Sequence, residues 1–303
     1  MHFRSFLQAV AAATLLLAGG PVFAEGKPVV YTVNYPLQYF AQRIAGDYAD
    51  VTFPVPAGID PAFWQPDAEA IAGFQAADLI LLNGAGYAKW TSRASLPRRK
   101  LVDTSAGLRD KLIENTNRIA HSHGREGSHS HAGTAFTTWL DFSQAAAQVR
   151  TIRDALSRLH PDGTDTFTTN ALALEQELLD LDTRLKAIVA RNPGKPVIAS
   201  HPVYQYFSRR YGINLRSVMW EPDVVPGEDK WLELEQLLGE HPANWFIWES
   251  GPNPANLERL QQLGIQSTIF DPSANVPESG TFADVMTENV KALDRIFRSP
   301  DTQ

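Results

Sequence analysis

The sequence contains no cysteine, and only 3 of its 303 residues are methionine. The absence of cysteine excludes disulfides, thiol chemistry and lipid attachment through a cysteine, so the core alone must hold the fold together. Motifs of common catalytic sites are also missing, including His-Glu-x-x-His, Gly-x-Ser-x-Gly and a phosphate-binding glycine loop. We therefore expect a protein that is not an enzyme.

Long apolar runs are absent except near the N-terminus. Arg4 precedes an apolar run over residues 6–18, and small residues lead up to Ala24, just before Glu25. This order of charge, apolar core and cleavage site predicts a secretory signal peptide over residues 1–24. Cleavage there would release the mature chain into the periplasm, and no later run is long enough to predict insertion in a membrane.

Positive charge is also scarce. The chain has 27 Lys and Arg against 34 Asp and Glu, a net charge of −7, which becomes about −8 once Arg4 leaves with the signal peptide. An acidic surface argues against nucleic acid and anionic membranes as partners. The length is enough for two domains, and we expect a monomer.

Strand-like and helical segments alternate in both halves of the chain, which predicts parallel sheets. Between the halves, leucines at intervals of three and four residues predict one long helix from Thr164 to Ala190. We therefore predict an α/β fold in which two α/β lobes with parallel sheets are joined by a long linker helix, with a ligand cleft between the lobes. The predicted boundaries are 25–141 for the N-terminal lobe, 142–192 for the helical segment and 193–303 for the C-terminal lobe.

A histidine-rich segment interrupts the first lobe at residues 121–131. It has no apolar residue, so we predict a mobile loop without regular structure. Its four histidines are His121, His123, His129 and His131. Such a composition is typical of metal capture. By contrast, His160 and His241, each followed by a proline, are expected at the surface.

Four short motifs, in order, resemble the ligand loops of the zinc- and manganese-binding periplasmic proteins of ABC importers, the ZnuA type. The resemblance covers nearly all of the chain after residue 24. The motifs are Gly58-Ile59-Asp60-Pro61 followed by Trp64-Gln65-Pro66, Trp139-Leu140-Asp141, Ser200-His201-Pro202 and Phe270-Asp271-Pro272.

Two of the four ligands that this resemblance implies are missing. Ala62 and Thr137 stand where the family carries histidine, while His201 and Asp271 are retained. Two ligands make a weak zinc site, because zinc prefers four. Glu249 follows a predicted strand and is a candidate replacement carboxylate, and Glu221 follows the preceding strand in the same way.

Three interpretations remain open at this stage. In the first, the histidine loop completes a metal site with His201 and Asp271. In the second, the cleft takes an organic ligand or a metal chelate, with Trp64, Thr137 and Trp139 lining it and Trp220 and Trp248 near it. In the third, the protein is an accessory zinc carrier.

The resemblance implies a solute-binding protein that captures a divalent metal and delivers it to an inner-membrane ABC permease. We expect Zn²⁺ as the metal. Mn²⁺ is less favoured, because hard ions prefer oxygen ligands and this chain offers imidazoles.

Overall fold

The structure, a computed structural model, describes residues 26–115, 120–123, 127–130 and 133–298. The predicted signal peptide at residues 1–24 lies outside this range. Among the described residues, no helix combines the length and apolar character needed to cross a membrane.

The N-terminal lobe is built on a four-stranded parallel sheet in the order β2-β1-β3-β4. Its elements are β1 (Val29–Thr32), α1 (Tyr35–Ala45), β2 (Asp50–Thr52), α2 (Ala68–Ala76), β3 (Leu79–Leu82) and β4 (Leu101–Asp103). The central strand β3 is a continuous apolar run, as expected for a parallel strand covered on both faces. Helix α1 begins where the Asn34 side chain accepts the Leu37 N–H, and it ends at Gly46, whose φ is +54°.

Two antiparallel helices connect the lobes. They are α3 (Phe142–Leu159) and α4 (Thr164–Val189). With 26 residues, α4 is about 39 Å long. Its predicted stripe is confirmed, since Leu174, Leu178 and Leu185 are buried against the rest of the core.

The C-terminal lobe repeats the plan of the first, with strand order β10-β9-β11-β12, all parallel. Its elements are β9 (Pro196–Ala199), α5 (Gln205–Tyr211), β10 (Asn214–Ser217), α6 (Glu228–Glu240), β11 (Trp245–Trp248), α7 (Pro254–Gln262), β12 (Gln266–Ile269) and α8 (Phe282–Phe297). The predicted architecture of two parallel α/β lobes is therefore confirmed.

Direct contacts join the two lobes in addition to the helices. The Tyr39 and Phe282 rings meet with centroids 5.5 Å apart, and the Tyr35 N–H donates to the Ala274 carbonyl at 3.0 Å. The Asn275 amide donates to the carbonyls of Pro56 and Ile59, at 2.8 and 2.7 Å. One hydrophobic core extends across both lobes.

The histidine-rich segment departs from the predicted irregular loop. Its backbone forms an antiparallel hairpin in which β6 (Ala120–His123) pairs with β7 (Gly127–Ser130), and His121 lies opposite His129. The chain enters and leaves the segment through a second short ladder between β5 (Glu114–Asn115) and β8 (Gly133–Thr134). The two strands alternate small and polar residues, which can form a two-stranded ladder without an apolar core. Hydropathy alone therefore does not predict this hairpin.

Candidate metal centre

The four parallel strands of the C-terminal lobe all end at the cleft, and a polar side chain follows each of them. His201 comes two residues after β9 and Glu249 directly after β11. Glu221 follows β10, and Asp271 follows β12. Because carboxyl ends of parallel strands meet at one edge of a sheet, these side chains converge from well-separated parts of the sequence.

Three of these residues form a compact group. One ligand atom each from His201, Glu221 and Glu249 lies within 4.8 Å of the other two. The His201 Nδ1 is 2.9 Å from the Glu249 Oε1 and 4.0 Å from the Glu221 Oε1. Ligand atoms on a tetrahedral zinc ion lie about 3.4 Å apart, so small side-chain adjustments would place these three on one ion.

Burial and charge act in opposite directions on His201, whose side chain is 4% exposed. Burial lowers the pKa of its imidazole, but the hydrogen bond and charge of Glu249, with smaller contributions from Glu221 and Asp60, outweigh burial and raise the pKa. The nearby carboxylates therefore favour the protonated imidazole. Their negative charge would also attract a metal cation, which must displace that proton to bind His201.

Asp271 lies beside this group, not in it. Its Oδ1 accepts the Ser273 N–H at 2.6 Å, and Asn289 bonds to both its N–H and its carbonyl. Burial raises the pKa of its carboxyl, and the charge of Glu249 adds to the shift. These contacts hold the Asp271 loop in place.

The two positions that lack the family's histidines are occupied in different ways. Ala62 is buried, and its N–H donates to the Asp60 Oδ1 at 2.9 Å. Thr137 is also buried, and its hydroxyl donates to the Val203 carbonyl in the opposite lobe. Neither an alanine methyl nor a threonine hydroxyl bonded to a carbonyl replaces a histidine as a zinc ligand.

The tryptophans considered for stacking are largely core residues. Trp139 is fully buried and donates its indole N–H to the Pro272 carbonyl at 2.8 Å. Trp220 and Trp248 pack in a second aromatic cluster of the C-terminal lobe. Trp64 is only partly buried, with its ring against Trp90. Buried rings of this kind leave no face open for an organic ligand.

The hairpin carries the four histidines of the predicted metal-capture segment. The side chains of His121, His123 and His129, and all of His131, lie outside the described residues. The base of the hairpin is described, and it is fixed to the C-terminal lobe. The Tyr206 hydroxyl in α5 donates to the Ala135 carbonyl at 2.8 Å and accepts the Ile113 N–H at 3.2 Å. Helix α5 begins four residues after His201, so the base of the hairpin is bonded to the element that follows the His201 loop.

Glu221 is the residue that sequence reasoning left outside the proposed ligand set. The available signal was its place after a strand, which it shares with Glu249. The deciding fact is spatial: β10 and β11 flank β9 on either side, so both glutamates approach His201.

Comparisons with known proteins agree with this architecture. A family model described as "zinc-uptake complex component A periplasmic" matches residues 30–296. The zinc-binding lipoprotein AdcA of Streptococcus pneumoniae (strain R6) is 27% identical over 288 residues, which cover 89% of this chain and 56% of AdcA. The chain thus spans about half the length of the curated relatives it matches first.

Two solved structures share the fold. The metal-dependent lipoprotein YcdH from Bacillus subtilis superposes with a TM-score of 0.78 at 22% identity, over 90% of this chain and 100% of that one. The Zn(II)-bound ZnuA-like domain of Streptococcus pneumoniae AdcA gives a TM-score of 0.76 at 23% identity, with the same coverage.

Proposed function

Since the chain belongs to the ZnuA family of periplasmic zinc-uptake components, we propose that it captures Zn²⁺ in the periplasm and delivers it to the permease of an ABC importer. The observation that carries this proposal is the group of His201, Glu221 and Glu249 at the cleft. One imidazole and two carboxylates are ligand types that zinc accepts. The role is one of binding, without a catalytic step.

The ligand set differs from the one that the sequence resemblance implies. We propose that Glu249 and Glu221 compensate for the histidines missing at Ala62 and Thr137. Asp271 would hold the adjoining loop and is a further candidate ligand. A site with one imidazole is richer in oxygen than a site with three, so Mn²⁺ is the natural competitor in any test.

The hairpin fits a second part of the same proposal. Its base is bonded to α5 by Tyr206, next to the loop that carries His201. We propose that His121, His123, His129 and His131 collect zinc and supply it to the cleft or complete its coordination. An organic ligand has less support, since Trp139 and Trp248 are fully buried.

The test is a zinc titration of metal-free protein, beside single variants of the cleft. We expect His201→Ala and Glu249→Gln each to lower affinity at least tenfold, or about 1.4 kcal/mol. The glutamine oxygen can still accept a hydrogen bond from His201, so a loss in Glu249→Gln reports the missing carboxylate. Glu221→Gln should weaken binding in the same direction.

The matched control is Glu258→Gln, an exposed glutamate on α7 outside the site. It should leave zinc affinity unchanged. A further variant lacking residues 121–131 separates the hairpin from the cleft. If the cleft variants all bind zinc as tightly as the parent while the deletion abolishes binding, the cleft is not the site.

A further inference from the structure

Strand β12 is an edge of the second sheet, and its free side is open. The N–H groups of Gln266 and Phe270 donate toward β11, to the carbonyls of Asn244 and Trp248 at 3.0 and 2.8 Å. Because alternate residues of a parallel strand bond to opposite sides, Ser267 and Ile269 direct their backbone N–H and C=O away from β11. Within the described ranges, no further strand pairs on that side.

The open edge forms the floor of a groove of about 1600 Å³ between α7 and α8. Three large apolar side chains that line it are exposed, Leu257 by 39%, Ile269 by 43% and Val276 by 48%. Natural sheets usually protect an edge with a lysine, a proline or a covering loop. Residues 266–269 include neither a lysine nor a proline.

The groove is also acidic. Its lining includes the carboxylates of Asp271, Glu278, Asp284 and Glu288. Among the described residues that line the groove, the one cation is Arg295, which donates to the Thr268 hydroxyl at 2.9 Å. Lys291, just outside the lining, pairs with Glu288 at 2.7 Å. Negative charge remains in excess, so the surface is complementary to a cationic partner.

We propose that this groove docks an extended, basic segment of a partner protein, which adds to β12 as a fifth strand. The edge groups of Ser267 and Ile269 would supply main-chain hydrogen bonds. Apolar side chains of the segment would contact Leu257, Ile269 and Val276, and its basic side chains would face the acidic rim. A second copy of this chain is a poor occupant, because pairing two such edges would bring both acidic rims together.

The probe is a small panel of labelled eight-residue peptides that alternate lysine with valine, isoleucine or threonine. Binding to the full protein is followed by fluorescence anisotropy at low salt. We expect at least one member to bind, and its affinity to fall at least tenfold in Ile269→Lys, which places a like charge on the edge. The double variant Glu278→Lys, Glu288→Lys should show a loss of the same order.

The matched control is Leu172→Lys, which makes the same change at an exposed leucine of α4 away from the groove. It should bind like the parent, and thermal unfolding should show that all variants are folded. Single-residue hydrogen exchange supplies a second measurement. Addition of a strand protects the Ser267 and Ile269 amides, whereas loose electrostatic association does not.

Several outcomes would overturn the proposal. These are failure of the whole panel to bind, equal binding of the matching glutamate peptides, or binding without protection of Ser267 and Ile269. A dimer in sedimentation that Ile269→Lys abolishes would assign the edge to a second copy instead. No metal is needed in these measurements, so their result is independent of the zinc titration.

Discussion

At the scale of single residues, Thr137 shows how a lost ligand position acquires a different role. The family resemblance marks it as a histidine position. Its hydroxyl instead donates to the Val203 carbonyl across the lobe boundary, so the position now links the lobes. The sequence could predict the missing imidazole, but not this contact, since Val203 is distant along the chain. The ligand role of Glu249 stays a prediction until metal is bound.

The prediction that His241 lies at the surface, which rested on the proline that follows it, is wrong. The structure buries its ring, with Nε2 3.0 Å from the Val197 carbonyl. His160 is partly buried, with its ring against Tyr48. Neighbours in sequence gave no indication of either contact, because both partners come from other elements.

Asp182 carries a stability prediction. It is buried on α4, and it accepts two bonds from Arg210, at 2.8 and 2.7 Å, and one from Lys186 at 2.8 Å. Burial alone would raise the pKa of its carboxyl, but these hydrogen bonds outweigh burial and lower it. We expect Asp182→Asn to reduce the free energy of unfolding by about 2–3 kcal/mol at pH 7.

The sign of the pH dependence follows from the lowered pKa. The contribution of Asp182 is fully present above the unfolded-state pKa of about 3.9 and is lost as pH falls through the lower folded-state pKa. Urea unfolding at several pH values should therefore show the difference between parent and Asp182→Asn shrinking in acid. Asp180→Asn, an exposed position on the same helix, should change little. A difference that grows in acid would contradict the assignment.

At the scale of secondary-structure elements, the strength of the apolar pattern determines which helices and strands can be predicted from the sequence. Strands β3 and β11 and helix α8 are clearly marked in the sequence, because each combines a strong apolar run or stripe with clear end signals. The sequence marks helix α2 poorly, since Phe74 is its one buried residue and it has no apolar stripe. Strand β4 is also poorly marked, because its three residues are only partly buried and follow a basic turn.

The Tyr206 hydroxyl bonds both strands at the base of the histidine hairpin to α5. Removing the Tyr206 hydroxyl in Tyr206→Phe leaves the Ile113 N–H and the Ala135 carbonyl without this partner. We expect a loss of about 1–3 kcal/mol in the free energy of unfolding, with faster hydrogen exchange at the Ile113 amide.

Tyr87→Phe is the control for this prediction. The Tyr87 hydroxyl is buried and has no hydrogen-bond partner among the described residues. Its removal should be neutral or slightly stabilising. Equal destabilisation by both substitutions would show that the Tyr206 effect comes from general repacking, not from the hairpin contact.

At the scale of the whole molecule, the two lobes behave as one packed body. Tyr39 meets Phe282 across the boundary, Asn275 bonds to the opposite lobe, and α4 packs along both lobes. Opening the cleft widely would expose part of this shared core. The domain boundaries at 141 and 192 stay a prediction.

This packing predicts small closure movements. Small-angle scattering profiles of the metal-free and zinc-loaded protein should superimpose closely, because hinge closure would require the shared core to separate. The same comparison for the variant lacking residues 121–131 removes any contribution from the hairpin. A clear decrease in the radius of gyration on loading, retained in that variant, would contradict a rigid pair of lobes.

The most direct test of the account is anomalous diffraction at the zinc absorption edge from crystals of the zinc-loaded protein. We predict a strong peak at the carboxyl ends of β9, β10 and β11, within coordination distance of His201, Glu221 and Glu249. A peak only among the histidines of residues 121–131, with none in the cleft, would contradict the proposal that the two glutamates have rebuilt the metal site.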